Sequence, residues 1–193
     1  MEVERIQREW EVDIEWRPFF LDPTIPPEGR ERAPQTSDDT PKSHLELRGE
    51  AAGIEFRRGR TFTPNSHLAL QAGEWAQEHG TLDQLHAYHR ALFKAFFTDF
   101  EDLNDPDVLV RHAEEVGLDH EALRTALETK AYEEQVNEGI QHSYNIGVTG
   151  IPTFIINDQY AVVGAQDYEI FERVFEKFGA ARKAQPAEDA ASD

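Results

Sequence analysis

Histidine is the residue type in this sequence whose spacing most readily suggests chemistry. Of the eight histidines, His86 and His89 stand three residues apart, which places two imidazoles on one helical face, and His79 lies nearby. Grouped imidazoles can bind a zinc ion. No carboxylate at ligand spacing completes the set, and histidines scattered along acidic helices usually lie on the surface. We therefore expect no metal site and no cofactor.

Asn65 and Ser66 form the other polar pair that could face a ligand. They stand after Thr63-Pro64, where the pattern predicts the start of a helix. Because Asn and Ser are among the commonest N-cap residues, we expect them to cap this helix rather than to bind a substrate. The sequence shows no Ser-His-Asp arrangement, glycine-rich phosphate loop or paired-carboxylate motif.

Cysteine is absent from all 193 residues. Since a thiolate is the nucleophile of thiol–disulfide exchange, the chain as written cannot carry out that chemistry. We therefore assign no catalytic residue.

The charge of the chain excludes several classes of partner. It has 38 acidic and 19 basic residues, a formal charge of −19, which repels nucleic-acid backbones and anionic membrane surfaces. Hydrophobic residues make up 39%, enough for a folded core. No apolar run approaches a membrane span, and the first residues are too charged for a signal peptide. We expect a cytoplasmic protein that binds neither nucleic acid nor membrane.

Periodicity predicts a helix, a strand and a loop at the front of the chain. The helix covers residues 1–10, and Val12, Ile14 and Trp16 then alternate with charged residues, as in a strand over residues 12–19. Residues 22–39 are rich in proline and charge, which indicates a loop.

Helical patterns fill residues 40–144. Helix starts are predicted at Thr40-Pro41 and Asp105-Pro106, at Thr81 with Gln84, and at Asp119. The helix behind Thr81 should bury one apolar face, formed by Leu82, Leu85, Tyr88, His89, Leu92, Phe93, Phe96 and Phe97.

The back of the chain reads as strand, strand and helix. Residues 151–156 and 160–163 predict a hairpin turning at Asn157-Asp158, and residues 168–178 predict a helix that Gly179 ends. Residues 180–193 have no periodicity, and we expect them to form a disordered tail.

This order of elements resembles a thioredoxin fold interrupted by a helical domain, an α/β fold. The resemblance is strongest in Gly147-Val148-Thr149-Gly150-Ile151-Pro152-Thr153-Phe154 and the following residues to Gln166, which are similar to the C-terminal signature of the DsbA family and its FrnE-like branch. Residues 12–19 and 26–29 are similar to the second strand and the loop after it. We therefore expect a discontinuous thioredoxin-like domain of residues 1–39 and 145–179 around a helical domain of residues 40–144.

The resemblance implies cytoplasmic thiol–disulfide oxidoreduction, with a peptide or protein thiol or disulfide as substrate. It implies a cis Ile151–Pro152 peptide bond that leaves the backbone of Ile151 free to pair with an extended substrate. The substrate-binding residues that it implies are Thr149, Ile151 and Pro152. From the residues alone, a trans proline at the start of an edge strand is the alternative.

In the DsbA family a strand and a Cys-x-x-Cys motif precede the first helix, and this sequence starts inside the corresponding helix. Because that strand lies within the sheet, its absence would leave backbone groups unpaired on two strands, at about 1–3 kcal/mol for each buried group. We therefore expect Met1 to be internal to a longer coding sequence and this chain to be catalytically inert as written. Reading the coding DNA upstream of Met1 tests this expectation.

Two further functions stay open. One is a glutathione-dependent isomerase or transferase of the same fold, similar to the hydroxychromene carboxylate isomerases and kappa-class transferases, with glutathione as its ligand. The other is a non-catalytic peptide-binding or chaperone module. The sequence leaves the oligomeric state open, a homodimer included.

Overall fold

A computed structural model describes residues 2–184, which form two compact units. The first unit comprises residues 2–15 and 150–184, and the second comprises residues 16–149. The sequence predicts domain boundaries after residues 39 and 144, whereas the structure groups residues 16–39 and 145–149 with the helices. The central helical segment thus forms one unit together with the chain segments that lead into and out of it.

The described chain contains helices and short strands. The helices are α1 (Glu2–Glu9), α2 (His44–Ala51), α3 (His67–His79), α4 (Leu82–Lys94), a π-helix (Ala95–Asp99), α5 (Pro106–Glu115), α6 (His120–Glu128), α7 (Glu133–Asn145) and α8 (Tyr168–Lys177). The strands are β1 (Arg30–Glu31), β2 (Phe62–Thr63), β3 (Thr153–Ile156) and β4 (Tyr160–Val163). β1 pairs with β2, and β3 pairs with β4, both antiparallel. Within residues 2–184 no helix is long and apolar enough to cross a membrane.

The first unit packs the β3–β4 hairpin and α1 against α8. The predicted turn forms at Asn157 and Asp158, whose φ angles of 51° and 52° lie in the left-handed region that these residue types tolerate. Phe154 of β3 meets Phe171 of α8 edge to face, with ring centroids 4.8 Å apart. The buried residues of this core are Ile6, Trp10, Val162, Tyr168, Phe171, Val174 and Phe175.

The predicted strand over residues 12–19 does not form. A strand needs a hydrogen-bonded neighbour, and no strand of the described chain lies beside this segment. Its side chains still alternate: Val12 and Ile14 are half-buried, whereas Asp13 and Glu15 are exposed. The hydrophobic pattern therefore predicted correctly which side chains are buried, although the segment is not part of a sheet.

Residues 9–11 pair instead with the segment after α8. The Glu11 N–H donates to the carbonyl of Ala181 at 2.8 Å, and the Lys183 N–H donates to that of Glu9 at 2.9 Å. The tail expected at residues 180–193 therefore includes residues that belong to the first unit. Residues 185–193 lie outside the described residues.

The second unit is built around α3 to α6. Its buried core consists of Ala72, Trp75, Ala76, Leu85, Tyr88, Leu92, Ala95, Leu103, Leu109, Val110, Ala113, Leu118, Leu123, Leu127 and Tyr132. Three predicted helix starts are confirmed: Thr81 with Gln84 forms a capping box, and Asp105 and Asp119 each accept a backbone N–H.

The predicted start at Thr40 is wrong. α2 begins at His44, where the Ser43 hydroxyl accepts the Glu46 N–H and the Glu46 carboxylate accepts the Ser43 N–H. This reciprocal pair satisfies two N–H groups of the first turn, whereas Thr40 could satisfy one at most.

The apolar face predicted for α4 is correct in its middle and wrong at two positions. Leu85, Tyr88 and Leu92 are buried, but Leu82 and Phe93 are about half exposed. The helix then continues as the π-helix, which ends at Phe100 in the left-handed region with φ of 62°. The wider π turn changes the direction of every side chain that follows.

Candidate functional site

The segment predicted to bind substrate forms a turn where β3 begins. Its Ile151–Pro152 peptide bond is cis. The Thr153 hydroxyl donates to the carbonyl of Gly150 at 2.7 Å, and the Gly164 N–H donates to the carbonyl of Pro152 at 2.8 Å. These two bonds hold Pro152 beside the end of β4 and leave Ile151 on the outside of the turn.

One edge of β3 is open within the described chain. Antiparallel pairing directs the backbone groups of successive residues to alternate sides of a strand. Because Pro152 bonds toward β4, Phe154 and Ile156 also bond toward β4, and Thr153 and Ile155 direct their groups outward. The backbone of Ile151 makes no backbone hydrogen bond within residues 2–184. The groups of residues 153 and 155 therefore line one edge, about 6.7 Å apart. The cis peptide places Ile151 just before this edge.

The side chains near this edge are apolar and accessible. Ile151 is 56% exposed and Ile155 is 43% exposed, whereas Phe154 faces the core on α8. An extended chain lying along the edge would cover both isoleucines. The geometry thus combines unpaired backbone groups with apolar surface that a partner can remove from water.

The structure does not bring the three predicted binding residues together in one unit. Ile151 and Pro152 lie together in the turn, and both are exposed. Thr149 is exposed as well, but its backbone groups with the second unit. The sequence analysis missed Thr153, whose hydroxyl fixes the turn. Its signal was available: a hydroxyl residue directly after the proline.

Asn65 and Ser66 differ in their roles at the start of α3. The Asn65 side-chain oxygen accepts the His67 N–H at 2.9 Å, and its amide nitrogen donates to the carbonyls of Ile25 and Pro26. Asn65 is buried, so its polar atoms serve the fold of this unit. Ser66 is the N-cap residue, but its backbone is helical and its hydroxyl makes no capping bond.

The three histidines considered for metal binding have other surroundings. His79 stacks on Trp75, and its Nδ1 lies 3.0 Å from the Trp75 carbonyl oxygen. Burial, and secondarily the neighbouring His86, lowers the pKa of His89 to about 4, so His89 is neutral at pH 7. Across the part of the chain that the structure describes, no three His, Cys, Asp or Glu side chains are grouped to hold a metal ion. We assign no metal role to these histidines.

Comparison with known proteins gives one family match and one related sequence. The family model of the DSBA-like thioredoxin domain matches residues 1–176. The uncharacterized protein YwbO of Bacillus subtilis is 30% identical over 165 residues, which make up 84% of this chain and 80% of YwbO.

Two solved structures are similar to this one. A probable DsbA oxidoreductase from Streptomyces coelicolor has 28% identity and a TM-score of 0.59, over 76% of this chain and 62% of that one. This chain therefore spans less than two thirds of that relative's length. A protein from Nitrosomonas europaea, named as a protein disulfide isomerase, has 14% identity and a TM-score of 0.57 over 70% of both chains, and supports the fold alone. The predicted α/β, thioredoxin-like fold is confirmed.

Proposed function

Because this chain belongs to the DSBA-like thioredoxin domain family, we propose that it binds an extended segment of a peptide or protein along the outer edge of β3. Of the residues near this edge, the resemblance implies substrate pairing in thiol–disulfide exchange only at Ile151. The observation that carries the proposal is the unpaired backbone of Ile151 beside its exposed side chain. A peptide that adds as a strand gains main-chain hydrogen bonds from such an edge and side-chain contacts at every second residue.

The position of Pro152 suits this role. Proline has no backbone N–H, so a strand loses one hydrogen bond on the side that the proline nitrogen faces. The carbonyl of Pro152 bonds toward β4, and so the missing donor falls on that side. The outer edge keeps the N–H groups of residues 153 and 155. A bound strand therefore loses no hydrogen bond to the proline.

Electron transfer is not assigned to any residue of this sequence. In the family reaction a cysteine thiolate attacks the substrate disulfide and forms a mixed disulfide. The 193 residues contain no cysteine. The proposal for this chain is therefore binding of a peptide or protein thiol or disulfide substrate. The substrate class and a cytoplasmic location rest on the resemblance to the FrnE-like branch.

The glutathione-dependent alternative gains no support from Asn65. The residue uses both its amide oxygen and its amide nitrogen within the second unit. A non-catalytic peptide-binding module would use the same edge of β3, and it differs from the proposal only in whether a thiol partner takes part.

Fluorescence anisotropy with a labelled peptide tests the binding proposal. We expect saturable binding of an uncharged, extended peptide, and we expect Ile155→Lys to weaken it because a charge on the edge opposes strand addition. Leu82→Lys is the matched control, since Leu82 is also about half exposed but lies on α4 of the second unit. Equal binding by Ile155→Lys and the unaltered chain would contradict the proposal.

N-methylation of the peptide separates strand addition from simple hydrophobic adhesion. Methyl groups on every second amide, in the register that faces β3, should abolish binding because they remove the donors of the ladder. Methyl groups on the intervening amides should leave binding nearly unchanged. If both peptides bind equally, the contact is not a strand pairing.

A further inference from the structure

Two arginines of the second unit lie close together without a carboxylate partner. The backbone N–H of Arg32 donates to the carbonyl of Thr61 at 2.8 Å, which continues the β1–β2 pairing by one residue. Thr61 directly follows Arg60, so the backbones of the two arginines are neighbours. Within residues 2–184, neither guanidinium forms an ion pair. The chain has two carboxylates for every cation. Two neighbouring unpaired arginines are therefore a feature that the composition does not explain.

Both guanidinium groups carry hydrogen-bond donors without acceptors. The Nε of Arg32 and an Nη of Arg60 are buried and have no partner in the described chain. Burial lowers the pKa of Arg60, and the positive charge of Arg32 lowers it further. Buried donors and adjacent like charges each destabilise the fold when nothing compensates them. A bound anion would offset the two like charges.

Aromatic rings hold Arg60 in place from one side. Its guanidinium carbon lies 3.8 Å from the centroid of the Phe96 ring and 4.6 Å from that of Phe100. A guanidinium that stacks on ring faces keeps its N–H groups in its own plane, available for a planar or tetrahedral oxyanion. Phe100 occupies this place because the π-helix ends in the left-handed conformation. π-Helical turns of this kind are frequent at functional sites.

The loop that carries Arg60 is fastened to the same π-helix. The Arg57 N–H donates to the carbonyl of Phe97 at 3.0 Å, and the Thr98 hydroxyl donates to the carbonyl of Glu55 at 2.6 Å. These bonds fix both the loop and the rings beneath it. The arrangement is therefore built before any ligand arrives, which lowers the entropy cost of binding.

We propose that Arg32 and Arg60 form a binding site for the phosphate group of a small molecule. Two guanidinium groups carry two positive charges, which a phosphate near its dianionic state balances and a single carboxylate does not. The net charge of −19 repels anions from the molecule as a whole, so that an anion bound here must be held by local contacts. The same net charge opposes nucleic acid as the source of the phosphate.

Titration with inorganic phosphate at constant ionic strength tests the site. The Nε–H resonances of Arg32 and Arg60 should shift saturably in nitrogen–proton correlation spectra. Arg32→Gln and Arg60→Gln should each weaken phosphate binding by about tenfold or more, because a charge-assisted hydrogen bond is lost. Arg60→Lys should restore only part of the affinity, since an ammonium lacks the planar fork. Acetate, a monoanion, should bind at least about tenfold more weakly than phosphate.

Arg8→Gln is the matched control. It makes the same change in net charge at an exposed position of α1, and it should leave phosphate binding unchanged. In phosphate-free buffer, Arg32→Gln should not lower the thermal midpoint, because it removes an unpartnered buried donor and a like-charge repulsion. The proposal is overturned if phosphate binding does not saturate, if acetate binds equally well, or if Arg8→Gln weakens binding as much as Arg32→Gln does.

Discussion

The indole Nε1 of Trp10 donates a hydrogen bond to the hydroxyl of Tyr168 at 3.0 Å, and this hydroxyl donates in turn to the Glu9 carboxylate at 2.6 Å. Trp10 is buried directly after α1, and Tyr168 is the first residue of α8. The pair therefore joins the two helices of the first unit through a satisfied polar contact in an otherwise apolar core.

Tyr168→Phe should destabilise this unit without changing its packing. The substitution leaves the buried indole N–H of Trp10 unpaired, which costs about 1–3 kcal/mol. Urea unfolding followed by tryptophan fluorescence measures the change. Tyr160→Phe is the control, because Tyr160 is substantially exposed, and it should cost much less. Equal losses in the free energy of unfolding would show that the Trp10–Tyr168 hydrogen bond does not stabilise the unit.

Sequence patterns correctly predicted the features that depend on residues a few positions apart. The capping box at Thr81, the turn at Asn157-Asp158 and the buried face of α8 each involve residues a few positions apart. Such short-range chemistry is encoded directly in the sequence.

Features that depend on distant segments were not predictable. Alternation at Val12 and Ile14 specifies which side is buried but not whether a neighbouring strand exists. The proximity of Arg32 and Arg60 depends on β1 pairing with β2, and both strands are only two residues long. At the candidate site, the family motif located Ile151 and Pro152, while the open edge of β3 became visible only in the structure.

The capping box of α2 should give the chain a specific dependence on acid pH. Hydrogen bonds from the backbone and hydroxyl of Ser43, and then from Arg58, lower the pKa of Glu46 to about 2 from an ordinary 4.5. Its contribution to stability is therefore complete above pH 4.5, declines as the unfolded chain takes up protons below that pH, and is lost as pH falls through about 2. A carbon-13 titration of the Glu46 carboxyl measures the pKa directly. In Ser43→Ala it should rise part of the way toward 4.5, because the hydroxyl bond is lost while the N–H of residue 43 still donates to the carboxylate, and an unchanged value would contradict the role of the hydroxyl.

Thiol chemistry should be absent from the purified chain. With no cysteine, it should not accelerate the reduction of insulin by dithiothreitol above the rate without protein. Turbidity from the precipitating insulin chains gives the rate, and an active thioredoxin serves as the positive control. Acceleration by this chain would require a mechanism without a protein thiolate and would overturn the division between binding and catalysis proposed above.

Two helical glycines should respond in opposite directions to alanine. In a helix interior, Gly→Ala ordinarily stabilises by about 0.5–1 kcal/mol. At Gly73 of α3 an added Cβ would lie 3.6 Å from the nearest atom, on His89, which is an ordinary contact, so Gly73→Ala should show that gain. At Gly139 of α7 the Cβ would lie 2.5 Å from the Cγ of Pro18, too close for either to remain in place.

Gly139→Ala should therefore destabilise the second unit, by about 1–3 kcal/mol, as overpacking does. The Ser143 hydroxyl donates to the carbonyl of Pro18 at 3.1 Å, so that movement of the proline segment would also strain this bond. Parallel urea unfolding of both variants measures the two effects against the same unaltered chain. Because helix propensity alone predicts stabilisation at both positions, a gain at Gly139 would show that the close approach of Pro18 to α7 does not exist in solution.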